Sequence, residues 1–251
     1  MQELLLRWYS QTRVDLPWRH THDPYAILVS EVMLQQTQVS RVVPRYLAWL
    51  ERWPTVEALA AARPAEVITE WAGMGYNRRA VLLHRCAMAV AEMGGFPREP
   101  AELRRLPGVG PYTAAAIACF AFGAQVAAPD TNAKRVLERA FDNPSMAPPP
   151  GRAYEWNQAL FDLGREVCIA RRPRCELCPL ADECPSRGRT YAPLRKQSRF
   201  EGSFRQRRAE LLRAIAAAGS LPDAEADAEA LLSLVRDGLA EVSGGYARLP
   251  G

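Results

Sequence analysis

Cys168, Cys175, Cys178 and Cys184 stand in the spacing C-x6-C-x2-C-x5-C, a complete ligand set for one metal centre. Zinc and an iron–sulfur cluster both accept four cysteines, and the spacing leaves the two open. A disulfide framework is the competing reading, but nothing else in the chain has a secreted character. Cys86 and Cys119 sit singly in apolar helical patterns and read as small buried hydrophobes. A second chemical feature is Leu106-Pro107-Gly108-Val109-Gly110-Pro111-Tyr112-Thr113. Two glycines around a valine let the backbone turn tightly and aim amide N–H groups at an anion, at the positive end of the helix that follows. An ordinary interhelical turn is the alternative. From Arg165 to Arg213 the chain carries 13 Arg/Lys against 6 Asp/Glu, although its overall net charge is only +4. Such a block is a solvated face or a surface for a polyanion.

These residues need elements to position them, and helical periodicity dominates. Apolar residues recur three and four apart over Pro24–Leu34, Val39–Arg52, Thr55–Ala61, Pro64–Trp71, Asn77–Met93 and Thr113–Phe122. Pro24, Pro54 and Pro64 mark first turns, and Gly73, Gly75, Gly94 and Gly95 mark ends. A short helix over Pro100–Arg105 precedes the glycine turn. Strand alternation is nearly absent before residue 235, so the first 190 residues are predicted to be all-α. A basic linker is expected over 191–207 and a small winged-helix-like module over 208–251, with helices at Arg208–Ala218 and Asp227–Gly238 and a hairpin around Ser243-Gly244-Gly245. The N-terminus has no signal-peptide pattern and the apolar run Thr113–Ala128 is too short to span a bilayer, so a soluble protein of a reducing compartment is expected.

The helix–LPGVG–helix pattern matches the helix-hairpin-helix that grips a DNA phosphate without reading sequence. With Asp130 in a DTNAKRV segment and the four cysteines behind it, the chain resembles the helix-hairpin-helix (endonuclease III superfamily) base-excision DNA glycosylases over residues 1–190. The string Ser30-Glu31-Val32-Met33-Leu34-Gln35-Gln36-Thr37-Gln38 narrows this to a resemblance to the MutY-type adenine glycosylases. The resemblance implies a two-lobed fold, a six-helix lobe over about 23–128 and a cluster lobe of 1–22 plus 129–190. It implies a [4Fe-4S] cluster on Cys168, Cys175, Cys178 and Cys184, so it selects iron–sulfur over zinc. It implies a DNA wedge of Gln36 and Tyr76, backbone contacts at Gly108, Val109 and Gly110, and an adenine pocket that includes Arg19 and Gln158. Arg19 could equally pair with a carboxylate, and Gln158 could cap a turn. The chain departs from the family pattern at Leu28 and Asn77, where many members carry tryptophan and tyrosine. It also lacks room after the linker for the Nudix-like domain that many members carry, so it resembles a short form.

The residue chemistry points the same way. Breaking a C–N glycosidic bond through an oxocarbenium-like state calls for one carboxylic acid to protonate the base and one carboxylate to face the positive charge. Glu31 lies in the apolar helical string VSEVML, which favours the neutral acid; Asp130 opens a helix, where amide N–H groups hold an anion. Taken singly, each is more simply a surface carboxylate or an N-cap. Tyr112 occupies the hairpin position where strand-cutting relatives resembling endonuclease III carry a nucleophilic lysine. Lys134 is the only lysine of the catalytic body. The expected catalytic set is Glu31, Asp130 and Tyr112 in a monofunctional enzyme, with Tyr112 either orienting the sugar or Asp130 or simply packing. The expected reaction is removal of adenine paired with 8-oxoguanine or guanine. The expected setting is a cytoplasmic, nucleoid-associated monomer acting on double-stranded DNA, with no membrane contact. A mismatch thymine or uracil glycosylase on the same fold, or a non-catalytic damage-binding protein, are the alternatives.

Overall fold

The computed structural model describes residues 1–192 and 199–251. Residues 193–198 of the expected linker lie outside that description. The helices are α1 (Gln2–Thr12), α2 (Pro24–Leu34), α3 (Val39–Arg52), α4 (Val56–Ala60), α5 (Pro64–Glu70), α6 (Arg78–Glu92), α7 (Pro100–Leu103), α8 (Pro111–Phe122), α9 (Thr131–Val136), α10 (Ala153–Glu166), α11 (Phe204–Ala218) and α12 (Ala228–Arg236). Among the described residues, three short strands, β1 (Ser220–Pro222), β2 (Glu241–Ser243) and β3 (Tyr246–Arg248), lie near the C-terminus. Among the described residues, no helix is long and apolar enough to cross a membrane.

The chain forms two compact units. The first comprises the described residues of Met1–Glu31, Pro97–Arg105 and Val109–Lys196. Its core joins Leu5, Leu6 and Tyr9 of α1 to Val136 of α9 and to Trp156, Leu160 and Leu163 of α10, which recur at helical spacing. Cys168, Cys178 and Cys184 pack against this core. α9 and α10 approach so closely that a Cβ at Gly164 would lie 2.9 Å from the Asn132 carbonyl oxygen, so position 164 excludes any side chain. After α9 the helix widens into a π turn over Leu137–Phe141.

The second unit comprises the described residues of Val32–Phe96, Leu106–Gly108 and Gln197–Gly251. Trp49 stands edge-on to Trp53 and Trp71 at 4.7 and 5.5 Å between ring centres. Ile68 of α5 and Val81 of α6 enter one apolar cluster with Leu211, Leu212 and Ile215 of α11 and Leu231 and Leu234 of α12. The strands form an antiparallel sheet in the order β1-β3-β2, with Leu221 opposite Ala247 and Val242 opposite the same residue on the other side.

Several boundaries differ from those expected. α11 starts at Phe204, inside the segment read as linker, because the Ser203 hydroxyl accepts from the Gln206 amide at 3.3 Å and the Gln206 side chain accepts from the Gly202 amide at 2.6 Å. β1 adds a strand before residue 235. The units also divide the chain differently from lobes at 23–128 and 1–22 plus 129–190. α8 groups with α10, since Phe120 packs edge-on against Tyr154 and Phe161.

Candidate active site

Glu31 sits on α2 among Val29, Ser30, Val32 and Met33, all buried, and is itself only 6% exposed. Burial raises its carboxyl to about 7, because the charged form loses its water; a hydrogen bond with Tyr112 pulls the other way, and the charge of Asp130 adds to the rise. Tyr112 lies in the first turn of α8, which Gly110 and Pro111 start. Burial, then the charge of Glu31, holds its phenol well above the ordinary value, so it stays a donor. Its ring packs edge-on to Phe161 at 6.0 Å.

Asp130 caps α9. Its Oδ1 accepts from the Ala133 amide at 2.6 Å and its Oδ2 from the Asn132 side-chain amide at 3.1 Å. Both bonds orient the carboxylate. Asn132 Oδ1 in turn accepts from Arg135 Nη2 at 2.9 Å, and Arg135 also donates to the carbonyls of Gly164 at 2.7 Å and Cys168 at 2.8 Å. A continuous set of bonds thus runs from Asp130 to the backbone of the first cluster cysteine. Sequence reasoning missed Asn132 and Arg135, although an amide two residues after a capping aspartate is a local signal.

The structure brings Glu31, Tyr112 and Asp130 together in the first unit. One acid holds its proton up to about pH 7, a phenol donates to it, and a carboxylate is fixed by amides; such a set suits protonation of a leaving group beside a developing cation. Tyr112→Phe is expected to move the alkaline limb of the pH–rate profile upward, because the bond that lowers the Glu31 value disappears while burial remains. A limb that stays in place or moves down contradicts that role.

Arg19 and Gln158 also meet. Arg19 Nε donates to Gln158 Oε1 at 3.0 Å, and its Nη1 and Nη2 form a two-pronged pair with Asp162 at 2.9 and 2.7 Å. Nη1 donates further to the Val14 carbonyl at 2.8 Å. Arg19 thus takes the carboxylate pairing, with a partner, Asp162, that sequence reasoning did not name. The geometry is that of a buried structural pair.

In the hairpin, Gly108 and Gly110 are exposed and Val109 is buried. Gly108 has φ +76° and an added Cβ would lie 2.8 Å from the Leu82 Cβ, so both its conformation and its space require glycine. Gln36 and Tyr76 belong to the second unit, each in a turn with left-handed backbone, φ 56° and 46°. Gln36 is exposed, and Tyr76 is 48% exposed.

The four cysteines line one cavity with Val136, Arg139 and Val167. Four thiols around one cavity, with neither a histidine nor a carboxylate among its lining residues, are an all-sulfur donor set of the kind an iron–sulfur cluster takes. Donors reach the sulfurs: Arg139 Nη1 lies 3.8 Å from Cys168 Sγ and the Gly188 amide 3.4 Å from Cys175 Sγ. Arg139 also donates to the Ile169 and Ala170 carbonyls at 3.0 and 2.7 Å and lies over the Tyr191 ring. Arg171, Arg172 and Arg174 are exposed on the same loop.

Comparison with known proteins identifies the family. Residues 29–153 match the HhH-GPD superfamily base excision DNA repair proteins, and residues 168–184 match the iron–sulfur binding domain of endonuclease III. The fold is that of this superfamily. A thermostable thymine-DNA glycosylase superposes with a TM-score of 0.68 and 31% identity, over 73% of this chain and 93% of that one. An endonuclease III–DNA complex superposes at 0.64 and 24% identity, over 74% of this chain and 92% of that one. These matches define a base-excision DNA glycosylase that carries a [4Fe-4S] cluster on Cys168, Cys175, Cys178 and Cys184.

Sequence relatives narrow the class. An adenine DNA glycosylase of Mycolicibacterium smegmatis is 46% identical over 228 residues, 83% of this chain and 78% of the relative. That of Homo sapiens is 40% identical over 212 residues, 74% of this chain and 39% of the human protein. The chain belongs to the adenine DNA glycosylase family, the N-glycosylase hydrolases of base-excision repair.

Proposed function

We propose that the chain removes adenine mispaired with 8-oxoguanine or guanine in double-stranded DNA, as a monofunctional glycosylase working as a monomer on the nucleoid of the cytoplasm. The observation that carries this reading is Glu31, whose buried carboxyl is raised to about 7 and hydrogen-bonded by Tyr112. A purine offers N7 as a proton acceptor; a pyrimidine has no such atom. Glu31 donates its proton to N7, the C1′–N9 electron pair leaves with the neutral base, and the sugar becomes oxocarbenium-like. Asp130, held by Ala133 and Asn132, faces that charge as a carboxylate. Water then adds at C1′, passes its proton to the Glu31 carboxylate, and leaves an abasic site. Tyr112 at the hairpin supplies no amine, so no Schiff base forms and the strand stays intact.

The base must leave the stack to reach this site. Gln36 and Tyr76 fill the gap, the amide bonding the orphaned partner and the phenol stacking. Gly108, Val109 and Gly110 present backbone to a phosphate, and Arg171, Arg172 and Arg174 add salt-dependent affinity from the cluster loop. Arg19 and Gln158 enter as a fixed wall of the adenine pocket rather than as free donors, because Arg19 is committed to Asp162 and Gln158.

The test is excision on duplexes carrying A:8-oxoG, A:G, A:C, T:G and U:G, each scored with and without hot alkali. Abasic product from A:8-oxoG and A:G, with strand breaks only after alkali, is the expected result. Comparable turnover on T:G overturns the adenine assignment. Breaks without alkali overturn the monofunctional one.

A further inference from the structure

Two of the three non-glycine residues with left-handed backbone among the described residues are Gln36 and Tyr76. They lie 40 residues apart in sequence, in turns that α2 and α6 border. One side chain joins those turns. Arg79 Nη1 donates to the carbonyls of Val32, Met33 and Gln35 at 2.8, 3.0 and 2.7 Å, the end of α2 and the residue before Gln36. Its Nη2 donates to Thr37 Oγ1 at 3.2 Å, on the far side of Gln36, and to the carbonyls of Met74 and Gly75 at 3.2 and 3.0 Å, the two residues before Tyr76. Its backbone amide donates to the Tyr76 carbonyl at 2.9 Å. The guanidinium also lies over the rings of Trp71 and Tyr76, 5.0 and 5.6 Å from their centres.

This is an unusual place for a charge. Arg79 is 8% exposed, and every partner shown for it is a carbonyl, a hydroxyl or an aromatic ring. Burial lowers its guanidinium to about 10, which leaves it charged at neutral pH. A buried cation held by carbonyl dipoles costs more than a paired one, yet helix C-terminal carbonyls are the groups best suited to receive it. Other arginines hold only one side: Arg41 donates to the Gly73 carbonyl at 2.5 Å, and Arg45 to the Ala72 carbonyl at 2.9 Å. Neither reaches the turn of Gln36 in the bonds shown. Left-handed backbone at a glutamine and a tyrosine costs energy and persists only where surroundings over-determine it.

We propose that Arg79 is the positioning residue of the DNA wedge, a planar fork that holds the Gln36 and Tyr76 turns in the strained conformation required for insertion before DNA arrives. The proposal rests on the wedge reading given above. A lysine cannot replace it, since one ammonium on a flexible stem does not span two turns with parallel donors. Arg79 touches no reacting atom. It sets the distance and angle between two side chains that enter the duplex together.

The test compares single-turnover excision by the full protein on two duplexes. One carries adenine opposite 8-oxoguanine; the other carries adenine opposite a tetrahydrofuran abasic-site analogue, where no partner base resists extrusion. The ratio of the two rates reads the wedge, and the chemistry common to both cancels. Arg79→Lys is expected to lower that ratio about 30-fold, and 2-aminopurine at the adenine position should lose its flipping signal. Thr37→Val removes one bond of the fork and should lower the ratio about threefold; it decides the matter if the lysine variant does not fold. An equal fall on both duplexes, or none, overturns the proposal. Gln36→Ala and Tyr76→Ala separate the two levels of the argument. If they leave the ratio unchanged, the wedge reading fails and takes the assignment with it; if they lower it while Arg79→Lys and Thr37→Val do not, the assignment alone fails.

Discussion

Glu31→Gln is expected to reduce adenine excision about 10³-fold under single-turnover conditions, because an amide of the same shape cannot give up the proton that the leaving base requires. Binding to a duplex with a non-cleavable adenine analogue should change little, which separates lost chemistry from lost affinity. The wild-type rate should fall tenfold per pH unit above about 7, where the Glu31 carboxyl loses its proton. A thermodynamic signature accompanies the kinetic one. The carboxyl has an ordinary value of 4.5 and a folded value of about 7, so the folded state binds the proton more tightly than the unfolded chain. Stability is then unpenalised below about 4.5, declines between 4.5 and 7, and stays lower above it. The full penalty is on the order of 3 kcal/mol. Glu31→Gln carries no such charge, so its Tm should exceed the wild type's at pH 8 and converge with it near pH 4. A variant that is less active and also less stable at pH 8 contradicts the buried-acid account.

Asp130→Asn is expected to lower excision by a similar factor, about 10³-fold, through a different loss. Asparagine caps a helix nearly as well as aspartate, so the bond from the Ala133 amide persists and α9 stays in place. What disappears is the full negative charge beside the forming oxocarbenium. The melting temperature should move little, and the pH–rate profile should keep its alkaline limb, since Glu31 is untouched. That limb should shift slightly down, because the charge of Asp130 helps to raise the Glu31 value. Asp130→Ala provides the contrast: it removes the cap as well and should cost about 1 kcal/mol of stability. Equal rates in wild type and Asp130→Asn would sink the electrostatic role.

How much of this site the sequence reveals depends on whether a residue's neighbours are local. Glu31 announces its burial through the apolar residues on either side, and Asp130 announces its cap through the helix behind it. The bond between Tyr112 and Glu31 spans 81 positions and has no sequence signature. Asn132 was within reach, two residues from the carboxylate it orients. Arg79 was not, since an arginine in Asn77-Arg78-Arg79-Ala80 reads as part of a solvated face, and backbone carbonyls leave no trace in residue types. Arg19 has a partner that the resemblance does not name: Nη1 and Nη2 bond Asp162, while Nε bonds Gln158. In the fold, α10 carries a helical pattern in Trp156, Ala159, Leu160 and Leu163, all buried. β1 is three residues long, too short for any alternation to register. The start of α11 was hidden by arginines, although Ser203 and Gln206 carry the spacing of a helix start.

The C-terminal helix/strand module shares its apolar interior with α5 and α6, where Ile68 and Val81 meet Leu211, Ile215 and Leu234. Gly238 completes the fit, since a Cβ there would lie 3.2 Å from Arg85 Nη2. A segment joined in this way is not a cassette. Its removal would leave a greasy scar on the helices behind it, so selection could discard or replace it only by repainting Ile68 and Val81 in the same lineage. The boundary most visible in composition, the basic stretch before residue 204, is therefore not a seam at which evolution could cut.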